Sequence, residues 1–199
     1  MTTDSPKHEH PIVREVKRSI WGAARFASFD PRGLHYFNLT IEGFWRSFLA
    51  AVASLPLFIA IDALSYRPTE FTHYLNLAIG YGISWIALPI VMIPVVIVLE
   101  LRQVYIPFVI TYNWATFITY GLALVTVLLF HADNSIGASL SLAFWMVSCL
   151  YRWFVAKVAL NAGILIPIVV VVMDEVLSAL ISRGLFHLFG DIPSILTAA

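Results

Sequence analysis

From residue 44 onward the chain is apolar almost without interruption, broken only by short polar links. A helix needs about 20 apolar residues to cross about 30 Å of hydrocarbon, and five stretches meet that length, at about 44–65, 74–99, 105–130, 137–159 and 162–183. The links "SYRPTEFTH", "ELRQV", "HADNSIG" and "LNAG" are short, which makes successive spans antiparallel neighbours. The pattern predicts an all-α polytopic membrane protein. It divides into an N-terminal tail over about 1–43, a five-helix domain over about 44–185 and a short tail over about 186–199. Pro89 and Pro94 fall inside the second span, where each removes a backbone donor, so a helix kink is expected there.

The N-terminal tail has a different periodicity. Ile12, Val16, Ile20, Ala24 and Ala27 recur near helical spacing, while Arg14, Lys17, Arg18 and Arg25 lie elsewhere around the axis. Trp21, Phe26 and the basic cluster suit an amphipathic helix lying on an anionic lipid surface, and a helix packed against the bundle would show the same pattern. "SFDP" reads as a stop and restart, with Asp30 as N-cap and Pro31 at the first position of a second short segment.

Composition agrees with the membrane reading: 60% of the 199 residues are hydrophobic and only 12% charged, and mean hydropathy is +0.84. Basic and acidic residues cancel, so nothing in the charge points to nucleic acid. Their placement sets the expected orientation. With the N-terminus in the cytoplasm, that side receives Lys7, Arg14, Lys17, Arg18, Arg25, Arg32, Arg46, Arg102, Arg152 and Lys157, and the other side only Arg67 and Arg183. The expected location is a bacterial inner membrane, N-terminus cytoplasmic and C-terminus outside, the first span acting as its own targeting signal because residues 1–43 stay mixed and polar. A single cysteine, Cys149, gives no disulfide or thiolate metal site within one chain. The histidines have no metal-binding spacing such as HExxH; no cofactor and no metal are expected. "NLT" at Asn38 falls in a segment read as cytoplasmic, where it is no glycosylation site.

Polar residues within the spans carry the candidate chemistry. Asp174 and Glu175 sit in the middle of "ILIPIVVVVMDEVLSALISR", where a charge costs about 3 kcal/mol or more, so something must compensate them. Counting outward from the turn at Asn161, Arg152 and Asp174 come within about one helical turn of the same depth, which makes them the expected pair. Glu175, rotated by about 100°, is expected to face another helix, Asn113 or a water-filled crevice. The pair serves either to fix helix packing or to relay ions or protons. Asn113 is expected to bond a carbonyl freed by Pro89 or Pro94, with Tyr105, Tyr112 and Trp114 as boundary anchors. Ser141, Trp145, Ser148 and Ala156 share a face with Arg152, a small and polar stripe suited to helix contact. Asp62 is close enough to the outer surface to reach headgroups, with Arg67 to help.

The segment "YRWFVAKVALNAGILIPIVVVVMDEVLSALI", the five spans and "LAIGYGISWIALPI" together resemble the Yip family of Ypt/Rab-interacting five-span membrane proteins, in particular its bacterial relatives. The resemblance covers most of residues 44–185; the chain lacks the Asp-Leu-Tyr-Gly-Pro element of the eukaryotic proteins, and "FDPRGLHYF" does not replace it. It implies a non-enzymatic adaptor or membrane-organising protein. The expected function is therefore a scaffold or assembly factor, with membrane lipids and a protein partner or second copy as partners. The alternative is a small transporter or ion-conducting subunit using Arg152, Asp174, Glu175 and Asn113. An intramembrane enzyme is not expected, because no nucleophile–base pair stands at useful spacing.

Overall fold

The structure, a computed structural model, describes residues 10–66, 71–132 and 137–189. Lys7, His8, Arg67, the polar link at 133–136 and the tail beyond Phe189 lie outside the described residues. Those described form seven α-helices and no strand. Five segments are long and apolar enough to cross a membrane: Ile41–Ser65, His73–Val98, Arg102–Phe130, Ser139–Leu160 and Leu165–Leu185. The protein is an all-α polytopic bundle.

Helix α1 spans Pro11–Ala27. Pro11 suits its first turn, where no intrahelical donor is needed, and the His10 ring accepts from the Ile12 amide. It stops at Phe29, whose φ of 55° is rare for a residue with a side chain. The Phe29 ring is held edge-on against Phe154 at 5.1 Å. Asp30 then caps a 3-10 helix over Pro31–Tyr36, accepting from the Arg32 amide at 3.0 Å, the restart that "SFDP" predicts. Thr40 caps α2, Ile41–Ser47, through the Gly43 amide.

These three elements form a collar on one end of the bundle, with α1 and α2 against α5 and α1 also touching α6. Backbone proximity explains the fit. A Cβ on Gly22 would stand 2.8 Å from the Gly33 carbonyl oxygen, and one on Gly33 would stand 2.6 Å from that of Gly22. Phe26 stacks on Phe37 at 5.7 Å, and the Tyr151 hydroxyl donates to the Ala23 carbonyl at 3.0 Å. The buried face of α1 is therefore Ser19, Gly22, Ala23 and Phe26, flanked by Val16 and Ile20. Ile12 and Ala27, expected on that face, are exposed, as is Trp21, whereas Phe26 is fully buried. Small residues lie where backbones approach most closely, and a hydrophobicity pattern does not count glycine or serine as buried.

The first span is jointed. After α2 the chain turns at Phe48 and continues as α3, Leu49–Tyr66. Helix α4, Phe71–Val98, runs through Pro89 and Pro94 as one unbroken helix. Helix α5, Tyr105–Ala132, is the axis of the fold. It packs on α1, α2, α3, α4 and α6, and every residue from Phe108 to Ala115 is buried, as expected of a helix enclosed on all sides. Helix α6, Gly137–Leu160, ends at Asn161 in the left-handed conformation, φ 47°, one that asparagine tolerates. Helix α7, Leu165–Phe189, continues past the expected end at residue 183 and packs on both α6 and α4. Large apolar side chains such as Val52, Ile86, Leu128, Met146 and Leu180 remain exposed on the outside of all five spans, as a lipid-facing surface requires.

Candidate functional site: a charged pocket between four helices

Helices α4, α5, α6 and α7 enclose a pocket of about 280 Å³, with Phe58 of α3 at its edge. Arg152, Asp174 and Glu175 are the charged residues among those lining it. Arg152 lies eight residues before the end of α6 at Leu160, and Asp174 nine residues after the start of α7 at Leu165. At 1.5 Å per residue both are about 12–14 Å from the turn. The offset of one turn expected from counting at Asn161 vanishes because residues 161–164 are not helical.

The guanidinium straddles both carboxylates. One terminal nitrogen donates to Asp174 Oδ2 at 2.7 Å and the other to Glu175 Oε1, while Nε reaches the Ser148 carbonyl at 3.4 Å. Glu175 is thus on the same arginine as Asp174 rather than turned toward Asn113 or a separate helix. The reason is geometric: the face of α7 toward α6 passes between the two positions, and the planar fork of arginine spans the gap. Two neutral donors complete the cluster. The Tyr112 hydroxyl donates to Asp174 Oδ2 at 2.7 Å, and Trp145 Nε1 to Glu175 Oε2 at 3.3 Å. Side-chain exposure rises from 14% at Arg152 through 19% at Asp174 to 34% at Glu175, so the cluster opens into the pocket at the glutamate. Beside it Ser148, 3% exposed, is among the lining residues, and its buried hydroxyl has no hydrogen-bond partner. Elsewhere in the helices Ser54, Ser65 and Ser84 each donate to the carbonyl four residues back.

Asn113 is not part of the charged cluster. Its amide donates to Ser47 Oγ at 2.9 Å, fastening α5 to the end of α2, and it does not reach a carbonyl freed by proline. The contact to the proline region comes instead from Tyr105, whose hydroxyl donates to the Pro89 carbonyl at 3.0 Å. Asn113 and Pro89 nonetheless both line the pocket.

The basic residues of α1 divide into two sets. Arg14, Lys17 and Arg18 are exposed, and Arg18 donates to the His35 carbonyl at 3.3 Å. Arg25 is committed to the protein: it donates to Asp30, through Nε at 2.9 Å and a second nitrogen, and lies over the Tyr36 ring. That hydrogen bond, followed by the one from the Arg32 amide, holds the Asp30 carboxyl below its ordinary range. Arg25 is thus removed from the expected lipid-facing set.

A second buried polar contact was not legible as a pair. Asp62 Oδ2 and His73 Nε2 stand 2.8 Å apart, both buried, and Asp62 Oδ1 has no partner. Asp62 faces the protein and does not reach toward headgroups. The signal that could have found it is the short link between α3 and α4, which brings residues 11 apart to one level, although α3 packs mainly on α5 and α4 on α7 rather than on each other as the short link predicts. Cys149 lies beside Arg152, 3.7 Å from a guanidinium nitrogen. Comparison with protein-family models, with curated proteins and with solved structures gives no match.

Proposed function

We propose that this protein is a small transport subunit that admits a solute to the pocket between α4, α5, α6 and α7. The observation that carries the reading is the position of Arg152, Asp174 and Glu175 on the wall of a cavity instead of in a closed interface. Intramembrane ionisable groups that face a cavity are candidates for a substrate or ion path. A purely structural ion pair needs neither a second carboxylate nor an open side. The test is uptake of radiolabelled cationic, anionic and zwitterionic small solutes by proteoliposomes. At least one class is expected to enter several-fold faster than into protein-free liposomes, with the gain lost in Glu175→Gln. Entry at the protein-free rate for every class, with the protein folded, contradicts the proposal.

A membrane-organising scaffold, the role that the Yip resemblance implies, is favoured by one separate observation. On the collar, Trp21, Ile41 and Trp45 are 58%, 69% and 68% exposed, in a segment that also exposes Arg14, Lys17 and Arg18. Aromatic and basic side chains together suit the boundary of an anionic leaflet, each basic residue contributing about 1 kcal/mol near the surface. In nanodiscs the full chain is then expected to melt higher in anionic than in zwitterionic lipid, and to lose that gain in Arg14→Ala/Arg18→Ala.

A further inference from the structure

We infer that the pocket takes an organic ammonium ion with a compact apolar, preferably aromatic, body; the inference rests on the proposed solute-binding role of the same pocket. The charge balance gives the sign. Two carboxylates and one guanidinium line the cavity, so as ionised groups they carry one negative charge in excess. The guanidinium is already bonded by both carboxylates, which leaves no free cation to receive an anionic ligand.

The free acceptors give the position. A carboxylate offers about four lone-pair sites. At Glu175 one oxygen accepts from Arg152 and the other from Trp145, which leaves acceptor capacity on the most exposed member of the cluster. Ser148, one turn before Arg152 on α6, lies in the same wall with its hydroxyl buried and unpartnered. An ammonium N–H can donate to that carboxylate.

The rest of the wall gives the body of the ligand. Tyr81, Trp85, Tyr112, Tyr120, Phe144 and Trp145 line the pocket, and aromatic faces attract an organic cation while accommodating its apolar part. The volume of about 280 Å³ is near the lower end of the roughly 300–1,000 Å³ of small-molecule sites, and far larger than a bare monovalent ion occupies. A divalent metal is a poor fit, since among the described residues no third His, Cys, Asp or Glu joins the two carboxylates.

Three probes of one shape and different charge decide the matter: 2-phenylethylammonium, 2-phenylethanol and phenylacetate. Binding to the purified full chain is read by calorimetry and by the fluorescence of Trp85 and Trp145. The expected result is saturable binding of 2-phenylethylammonium, at least tenfold tighter than phenylacetate and tighter than the alcohol. Sodium chloride is expected not to displace it beyond general screening, and Glu175→Gln to weaken it at least tenfold. Should that variant fail to fold, the ranking of the three probes on the unaltered protein decides alone. Equal or tighter binding of phenylacetate or the alcohol overturns the cationic class and leaves the solute pocket standing. No binding of any probe overturns the inference, and together with no uptake of any solute class it overturns the proposed function as well. Binding of the ammonium without uptake keeps the inference and removes only transport.

Discussion

Arg46 and Arg152 present the same constellation in two environments. Each is a guanidinium held by two carboxylates: Arg46 by Glu15 at 2.6 Å and by Glu42 one turn before it, Arg152 by Asp174 and Glu175. In the collar the partners come from α1 and α2; Glu42 is 67% exposed, while Arg46 and Glu15 are 31% and 19% exposed. In the pocket no member of the trio exceeds 34%. Water and salt screen the Glu42 half of the first arrangement, so that half is expected to contribute little. Within the bundle the charges have lost most of their hydration, and removing one strands the others. The chemistry is shared; the surroundings decide whether it is decoration or a constraint.

The largest effect separates members of the pocket trio. Arg152→Leu leaves two carboxylates without a cation, and a loss of about 3–5 kcal/mol is expected, or failure to accumulate. Asp174→Leu leaves Arg152 with Glu175, so its cost is expected to be smaller. Thermal melting of both variants and of the double variant in detergent checks this. Coupling between them of about 0.5–3 kcal/mol is expected for residues in one network, and simple additivity would contradict the arrangement.

An intermediate effect tests how the collar is held. Gly43 closes on Asn38, where an added Cβ would stand 1.8 Å from a backbone oxygen. Gly43→Ala is expected to cost about 1–3 kcal/mol, as overpacking does, and to make the α1–α2 segment susceptible to limited proteolysis while the spans stay intact. If melting and proteolysis are unchanged, the close approach is not what seats the collar.

The smallest effect completes the comparison. Glu42→Gln, which removes the exposed partner of Arg46, is expected to change stability far less than Arg152→Leu, and by still less at high salt. A loss comparable to that of Arg152→Leu would erase the contrast between the two regions. Acid should act on the collar as well. Asp30 has a folded-state value below its ordinary 3.8, so the stability it contributes is present above that ordinary value and lost as pH falls through the lowered one. Trp21 fluorescence across that acid range reads the release.

What the sequence disclosed and what it concealed differ by a physical criterion. Span number, the Asp30 restart and the level of Arg152 with Asp174 follow from hydropathy, capping chemistry and rise per residue, all properties of one helix at a time. Rotation of one helix against another is not. Tyr112 on Asp174, Trp145 on Glu175, Asn113 on Ser47 and Asp62 on His73 all depend on that rotation, and short links leave it free. The pocket itself was legible only as an alternative for Glu175, a water-filled crevice. The buried face of α1 was misread because the Gly22–Gly33 approach depends on absent side chains.

Reaction of pocket and lipid-facing cysteines with charged thiol reagents tests most directly whether the charged trio lines a water-reachable cavity. With Cys149 replaced by alanine, a cysteine at Ser178, on the pocket wall, is compared with one at Leu180, on the outer face and 59% exposed. The account predicts that Ser178→Cys reacts with a trimethylammonium-bearing methanethiosulfonate, and faster than with its sulfonate counterpart, while Leu180→Cys stays unmodified in the bilayer. Reaction of Ser178→Cys as slow as that of Leu180→Cys would contradict it, leaving Arg152, Asp174 and Glu175 as a closed structural lock.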